Sequence, residues 1–530
     1  MPKDNRISEM FTKADGQRSQ IMERARKCAA LSKPWYLPPL SQTPDTRMPE
    51  NYQSLGSRGV TNLEGRMVLA LFPPEVPWLH LTPAPSIRYD PRMPPEMIQE
   101  IEARLYVHEM FIQATLESAS LSLEDDRDVA GFRTVMRQAI GHVLVTGDTL
   151  LRLGDDYRLT NYGRPQYVTK RDPQGRVLWH VVKESVDIQT LTEEQRQKAA
   201  FDADRATKDD PTERMVDLYT CVEWMPQDSM WRICQETNGK IIVESWEPVS
   251  PYFAVPFDLP SGEDYGRGFI EQNLGDLRSL DELRQRLLEF AALASKHLLV
   301  RDYRSQTRDE DYAKDTGSVI LGRVDGGQVQ DAAFFKADKL ADFKVCYDTA
   351  TLIERGLGSA MLIQSEAVRD SERTTAYEVA KVTIAEVEGA LGGFYAPTAD
   401  RFQIPIARRT IYQLTRDRML PPLPKGAVEL RTLTGIAALV REQKALNLLT
   451  FAEVARNLGP QALARINGDV FLDVYARYRQ IDEAGLIKTP EQVKAEAQSA
   501  LRLQGAAQAQ EKAVDVLGNV AQAALTPQAA

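Results

Sequence analysis

The chain has 530 residues, of which 43% are hydrophobic and 26% charged, and it carries a formal net charge of −10. That length exceeds the usual span of one domain, about 100–200 residues, and the composition excludes a disordered chain. The acidic balance excludes a protein that grips DNA by neutralising phosphates, but not a surface along which DNA slides.

The N-terminus, MPKDNRISEMF, lacks the apolar core of a secretory signal. No apolar run approaches the roughly 20 residues of a membrane span. Cys28, Cys221, Cys234 and Cys346 are scattered without a CxxC pair. They predict free thiols in a reducing compartment, and with only five histidines they offer no structural zinc site.

The first predicted helix covers 17–31, with Ile21, Ala25, Cys28 and Leu31 or Ser32 on one stripe and Pro34 behind it. A small-residue helical segment follows between Asn51 and Leu71, stopped by Pro73, Pro74 and Pro77. Ile98, Ile101, Leu105, His108 and Ile112 predict a helix over 94–120. The middle of the chain reads as strands at 143–153, 167–170, 177–183, 217–224, 231–236 and 240–245. Asp172-Pro-Gln-Gly175 has the residues of a type I turn, and Asn238–Gly239 those of a tight hairpin. The polar stretch 187–214 reads as a surface excursion.

After Gly266 the pattern turns helical. Ile270, Leu274, Leu277, Leu280, Leu283, Leu287, Ala291, Ala294 and Leu298 predict one helix of about 30 residues, or about 45 Å. A β-tinged insert over 299–337 carries Gly317, Gly322, Gly326 and Gly327. Phe343, Cys346, Ala350, Ile353 and Leu357 then form a heptad seam. Two long helices are thus expected to flank a small insert. The polar run 362–373 has no apolar stripe, and Thr375 with Glu378 forms a capping box for another long helix. Gly392–Gly393, Pro397 and Pro405 are expected to kink or break that helix. PPLPKG at 421–426 reads as a linker, helices resume over 436–480 and after Pro490, and an Ala/Gln-rich stretch follows from about 504.

Catalytic motifs are not found. GxxxxGK[ST], GxSxG and HExxH are missing from the sequence. Tyr265–Glu271 opens like GxGxxG but has Glu271 in place of the third glycine, and it reads better as the start of a helix that needs adaptable backbone. His108 reads as a helix-face residue and His297 as a helix C-terminal residue. The acidic runs Glu124–Asp125–Asp126, Asp209–Asp210 and Asp309–Glu310–Asp311 suggest solvated loops rather than a two-metal nuclease site. Arg301, Arg304 and Arg308 share a roughly four-residue beat, which alone means a solvated face. No catalytic residue, metal site or cofactor is expected.

Four stretches, in order, nevertheless resemble one family. They are QSLGSRGVTNLEGRMVLALFP (53–73) with Trp78, YVTKRDPQGRVL (167–178), YGRGFIEQNLGDLRSLDELRQRLLEFAALASK (265–296) and SERTTAYEVAKVTIAEVEGALGGFY (371–395). Together they are similar to the head-to-tail connector (portal) family of short-tailed, podovirus-type bacteriophages. The third is the closest match, centred on Tyr265, Gly266, Arg267, Leu274, Gly275, Asp276, Leu277, Arg278 and Ser279. In the fourth the carriers are Arg373, Thr375, Glu378 and Leu391–Gly392–Gly393.

The resemblance implies an α+β, mainly helical portal fold assembled as a ring, usually of twelve subunits, at one capsid vertex. On this chain the implied regions are a mixed α/β wing (1–264), stem helix 1 (265–297), an α/β clip (298–337), stem helix 2 (338–361), a channel loop (362–373), a long wing helix with its linker (374–433), a helical crown (434–487) and an Ala/Gln-rich tail (488–530). The implied partners are further copies of the chain, double-stranded DNA in transit, the terminase packaging motor, tail adaptor and tail tube proteins, and the major capsid, scaffold and internal core proteins. The implied location is the virion, after assembly in the host cytoplasm.

Candidate channel-loop residues are Gln364, Glu366, Arg369, Asp370, Glu372 and Arg373. Arg369 and Arg373 either touch phosphate in passing or pair with the neighbouring acids. Candidate clip-interface residues are Arg301, Tyr303, Arg304 and Arg308. The competing readings are a packaging nuclease or ATPase, against which the missing phosphate loop weighs, and another capsid-vertex adaptor or scaffold ring.

Overall fold

The structure is a computed structural model of the chain. It describes most of residues 7–294, short strands between 299 and 334, residues 340–363, most of 395–432 and part of 448–475. Contacts divide the chain into two compact units, 1–436 and 437–530. In the second, residues 448–457 are helical.

Helices of ten or more residues are labelled α, and strands β. The first unit opens with α1 (Ile7–Gln17) and α2 (Ser19–Ala30). Then come α3 (Leu55–Leu71), β1 (Leu79–Pro83), α4 (Pro95–Ser118) and α5 (Phe132–Thr146). Strands β2 (Asp148–Leu153) and β3 (Leu159–Tyr162) pair with β9 (Tyr252–Pro256) in the order β3-β2-β9. A five-stranded antiparallel meander holds β4 (Tyr167–Arg171), β5 (Val177–Asp187), β6 (Met215–Met225), β7 (Met230–Thr237) and β8 (Lys240–Glu247). The architecture is α+β.

The meander has two covered faces, as alternation along its strands requires. Val182, Val222 and Ile233 pack towards Leu150, Tyr162, Tyr252 and Tyr265. On the other face Val181, Cys221 and Cys234 pack under Ile7 and Phe11 of α1. Glu236 anchors that helix: it accepts hydrogen bonds from the Ile7 backbone N–H and, at 2.7 Å, from the Ser8 hydroxyl. A carboxylate there satisfies orphan donors and faces the positive helix end. All four cysteines are free thiols, and burial pushes Cys28 and Cys221 up to about 12.

Turn chemistry worked as the sequence reading expected. Gly175 adopts φ +81° and donates to the Asp172 carbonyl at 2.9 Å, and the β4–β5 register shifts beside it. Asn238 and Gly239 both have positive φ, 51° and 70°, which a two-residue hairpin of opposite twist demands.

Other expectations are corrected. Val143–Val145 close α5 rather than open a strand, because the apolar stripe from Phe132 runs on to Gly147, whose φ of +88° ends the helix. The stretch 187–214 is more than a surface excursion: Ile188, Leu191 and Ala199 are buried against Val216, Leu218 and Ile242. Pro405 does not break its helix, α8 (Tyr395–Arg416). Phe402, Gln403, Ile406 and Ala407 beside it are buried, so packing offsets the missing backbone donor. The linker 421–426 runs into β14 (Val428–Thr432), which pairs antiparallel with β1. The capping box at Thr375 lies outside the described residues, as does His297.

Candidate functional site

The two expected long helices are present: α6 (Leu274–Ala294) and α7 (Leu340–Ala360). The first starts later than its periodicity predicts. Asn273 separates it from a single turn, Phe269–Gln272, and caps that turn by donating to the Phe269 carbonyl at 3.1 Å. The helices run antiparallel, since Arg284 pairs with Glu354 and Phe290 with Phe343. The phenyl rings sit 5.2 Å apart and tilted by 32°, a contact worth about 0.5–1.5 kcal/mol beyond its buried area.

Between the helices lies the insert. Strand β10 (Leu299–Arg301) pairs with β13 (Ala332–Phe334) and closes its base, and β11 (Val324–Asp325) pairs with β12 (Gln328–Val329) inside it. Arg301 stands at the end of β10, opposite Ala332. Tyr303, Arg304 and Arg308 lie outside the described residues, as do Gln364, Glu366, Arg369, Asp370, Glu372 and Arg373.

Burial differs between the faces of the pair. Leu277, Leu280, Ala350 and Leu357 are buried, whereas Leu288, Val345 and Leu352 are 56%, 65% and 67% exposed in the single chain. The charges are mixed. Asp276, Asp281, Glu282 and Glu289 on α6 alternate with Arg278, Arg284 and Arg286, several in ion pairs such as Arg278–Glu282 at 3.0 Å. Such a surface offers no basic track for tight phosphate binding.

The base of the pair is a built socket. Tyr265 is buried between the guanidinium groups of Arg18 and Arg164, 5.4 and 5.2 Å from its ring. Its hydroxyl accepts from the Thr169 backbone N–H at 2.9 Å. Buried Asp148 accepts from the Tyr167 hydroxyl at 2.6 Å and from the Gly266 N–H at 3.1 Å, and Arg164 donates to the Gly266 carbonyl at 2.8 Å. Arg171 donates its backbone N–H to Asp264 at 2.8 Å. A Cβ on Gly266 would lie 2.4 Å from the Gly147 carbonyl oxygen. The glycines of Tyr265–Glu271 therefore start a helix, as expected, but what they supply is room for backbone against backbone. Two of the quoted stretches, at 167 and 265, meet in this socket.

The socket was not legible from spacing, because Asp148, Arg164 and Arg18 belong to no motif. Among the described residues no cluster of three or more His, Cys, Asp and Glu side chains could hold a metal ion. Asp210, from one of the acidic runs, caps a single turn by accepting from the Thr212 N–H at 2.8 Å. His108 stands on a face of α4 with Nδ1 2.6 Å from the Arg104 carbonyl oxygen. No helix among the described residues is long and apolar enough to cross a membrane.

An α+β body carrying an antiparallel helix pair with a small strand insert, entered through the socket of Tyr265 and Gly266, fits the connector resemblance, and the family comparison agrees. The chain belongs to the family described as bacteriophage head to tail connecting protein, which matches residues 4–486. Its relatives are named portal proteins. It is 29% identical over 499 residues to that of Escherichia phage T7, covering 91% of this chain and 88% of the relative. It is 28% identical over 479 residues to that of Pseudomonas phage phiKMV, covering 87% of each. Among solved structures it is similar, at TM-score 0.32 and 11% identity, to a chain of the neck of an empty GTA particle, over 72% of this chain and 94% of that one.

Proposed function

We propose that the chain is a portal subunit: copies of it close a ring at one capsid vertex, through which genomic DNA is packaged and later ejected. Family membership supports this, and the observation that carries it is the antiparallel pair α6–α7 with its insert. In this reading the pair is the stem, 298–337 the clip that meets the packaging motor and then the tail, 362–373 the channel loop, 434–487 the crown and 1–264 the wing. The protein acts by shape and surface, not by catalysis. Mixed charge on the stem suits DNA that must move, because phosphates held weakly and transiently do not stall.

Arg369 and Arg373 in the channel loop touch phosphate in passing, and Arg301, Tyr303, Arg304 and Arg308 serve clip docking. Reversing the charge of both loop arginines is expected to lower packaged and retained DNA. Unchanged DNA content would return them to pairing with Glu366, Asp370 and Glu372. Docking of motor and tail that survives alanine at the four clip positions would return those residues to contacts between subunits.

The ring itself is tested by native mass with electron images. Twelve copies of 59.5 kDa, the usual number in this family, come to 12 × 59.5 = 714 kDa. A particle near that mass with a central hole is expected. A chain that forms no ring even with capsid and scaffold proteins present would end the portal reading.

A further inference from the structure

The stretch around 53–62 is similar to a family signature, yet it contributes nothing to the proposed stem, clip or loop. Its contacts give it a role. At the start of α3, the backbone N–H groups of Tyr52 and Gln53 donate to Asp281 of α6 at 2.7 and 3.1 Å. The Gln53 side chain accepts from the Gly56 N–H at 2.8 Å and donates to the Leu31 carbonyl at 2.8 Å. One turn into the helix, Gly59 lies under Met361, which is fully buried; a Cβ at Gly59 would stand 2.1 Å from the Met361 sulfur. The Asn62 amide donates to the carbonyls of Met361 and Leu362 at 3.0 and 2.8 Å. Its oxygen accepts from Arg66 Nε at 3.3 Å.

One segment therefore holds both members of the pair, α6 at the two residues just before α3 and the end of α7 at Gly59 and Asn62 within it. Seven residues of helix separate Leu55 from Asn62, about 10 Å along the axis. Sliding α7 along α6 would break one of these attachments. The attachment at Asn62 also falls on a strained point. Leu362 has φ +56°, a left-handed backbone that a leucine keeps only when its surroundings hold it. The carbonyls that Asn62 binds lie just past the end of α7, whose own last carbonyls at Leu357, Gly358 and Ser359 accept from the backbone N–H groups of 361–363. The chain leaves this point directly into 364–373.

We propose that α3 is a strap that fixes the offset of the two long helices, and that Asn62 and Gly59 are positioning residues for the end of α7 at Met361–Ile363. The consequence for DNA rests on the portal reading; the strap itself does not.

The test uses the full-length assembled protein and two variants, Asn62→Ala and Asn62→Asp. Alanine removes the two donated bonds. Aspartate keeps the size but can only accept, and it sets a carboxylate against two carbonyls. Amide exchange at residues 361–363 is expected to rise about tenfold with alanine and further with aspartate, while β6 and β7 stay as protected as before. DNA retained in particles is expected to fall in the same order. Aspartate milder than alanine would mean a packing role and overturn the proposal. So would unchanged exchange at 361–363, a rise shared by the whole sheet, or a local rise with DNA retention intact. Failure of the unmodified chain to form a ring would count against the portal reading instead, since the exchange result does not depend on it.

Discussion

Single buried polar residues set much of the pH response. His142 is partly buried, stacked on Tyr36 at 4.4 Å, and burial together with the Lys33 ammonium lowers it to about 4. His180 sits beside the Thr169 hydroxyl at 2.9 Å, and burial with the Arg171 guanidinium lowers it to about 3. Both pKa values are depressed on folding, so the unfolded chain binds protons that the folded chain refuses. Stability is complete above about pH 6.5 and falls as pH drops towards 4, by roughly 3 kcal/mol for His142 over that window. His142→Phe keeps the stacking ring and is expected to flatten this fall. Urea midpoints at pH 7 and pH 5 check it, and an equal loss in variant and parent would place the acid response elsewhere. Neither histidine is marked in the sequence by a motif, and neither is His108 or His297, the two that the sequence reading weighed. The Lys33–Glu64 pair is equally silent: both groups are buried, 2.7 Å apart, with the Tyr36 hydroxyl donating to Glu64 at 2.8 Å. Residues 31 positions apart meet there because α2 and α3 both pack on α5.

At the scale of elements, glycines divide by what surrounds them. Gly266 is wedged against the Gly147 carbonyl and Pro256, whereas Gly65 of α3 has nothing within 4 Å of where a Cβ would be. The same substitution is thus expected to act in opposite directions. Gly266→Ala should cost about 1–3 kcal/mol by overpacking. Gly65→Ala should add about 0.5–1 kcal/mol by removing backbone freedom from the unfolded chain. Thermal unfolding of both variants checks the pair, and a neutral Gly266→Ala would mean that the socket gives way. Helix and hairpin positions were legible wherever local rules decide, as at Asn238–Gly239 and Pro95–Ser118. They failed where packing overrode propensity, as at Val143–Val145 and Pro405. Helix α1 carries only a short stripe, and its anchor, Glu236, lies 229 residues away from Ile7.

At the scale of the whole molecule, the exposed apolar residues on α6 and α7 call for a covering surface, and in the proposed ring that surface would be the next copy. Exposed leucines are common singly, but here Leu288, Val345 and Leu352 lie on one helix pair. Leu288→Glu with Leu352→Glu is expected to leave the fold of a single chain intact and to shift the native mass from ring to monomer; a ring of unchanged mass would place closure on other surfaces. What the sequence determined by itself was the order of elements, the two long helices around an insert, the hairpin turns and the family, because periodicity, turn residues and spaced motifs act over a few residues. What only the tertiary structure decided was the socket of Asp148, Arg164 and Tyr265, the anchoring of α1 on Glu236 and the strap from Asp281 through α3 to Leu362. Each joins residues 96 to 300 positions apart, and such contacts exist only once the chain has paid the entropy of closing those loops.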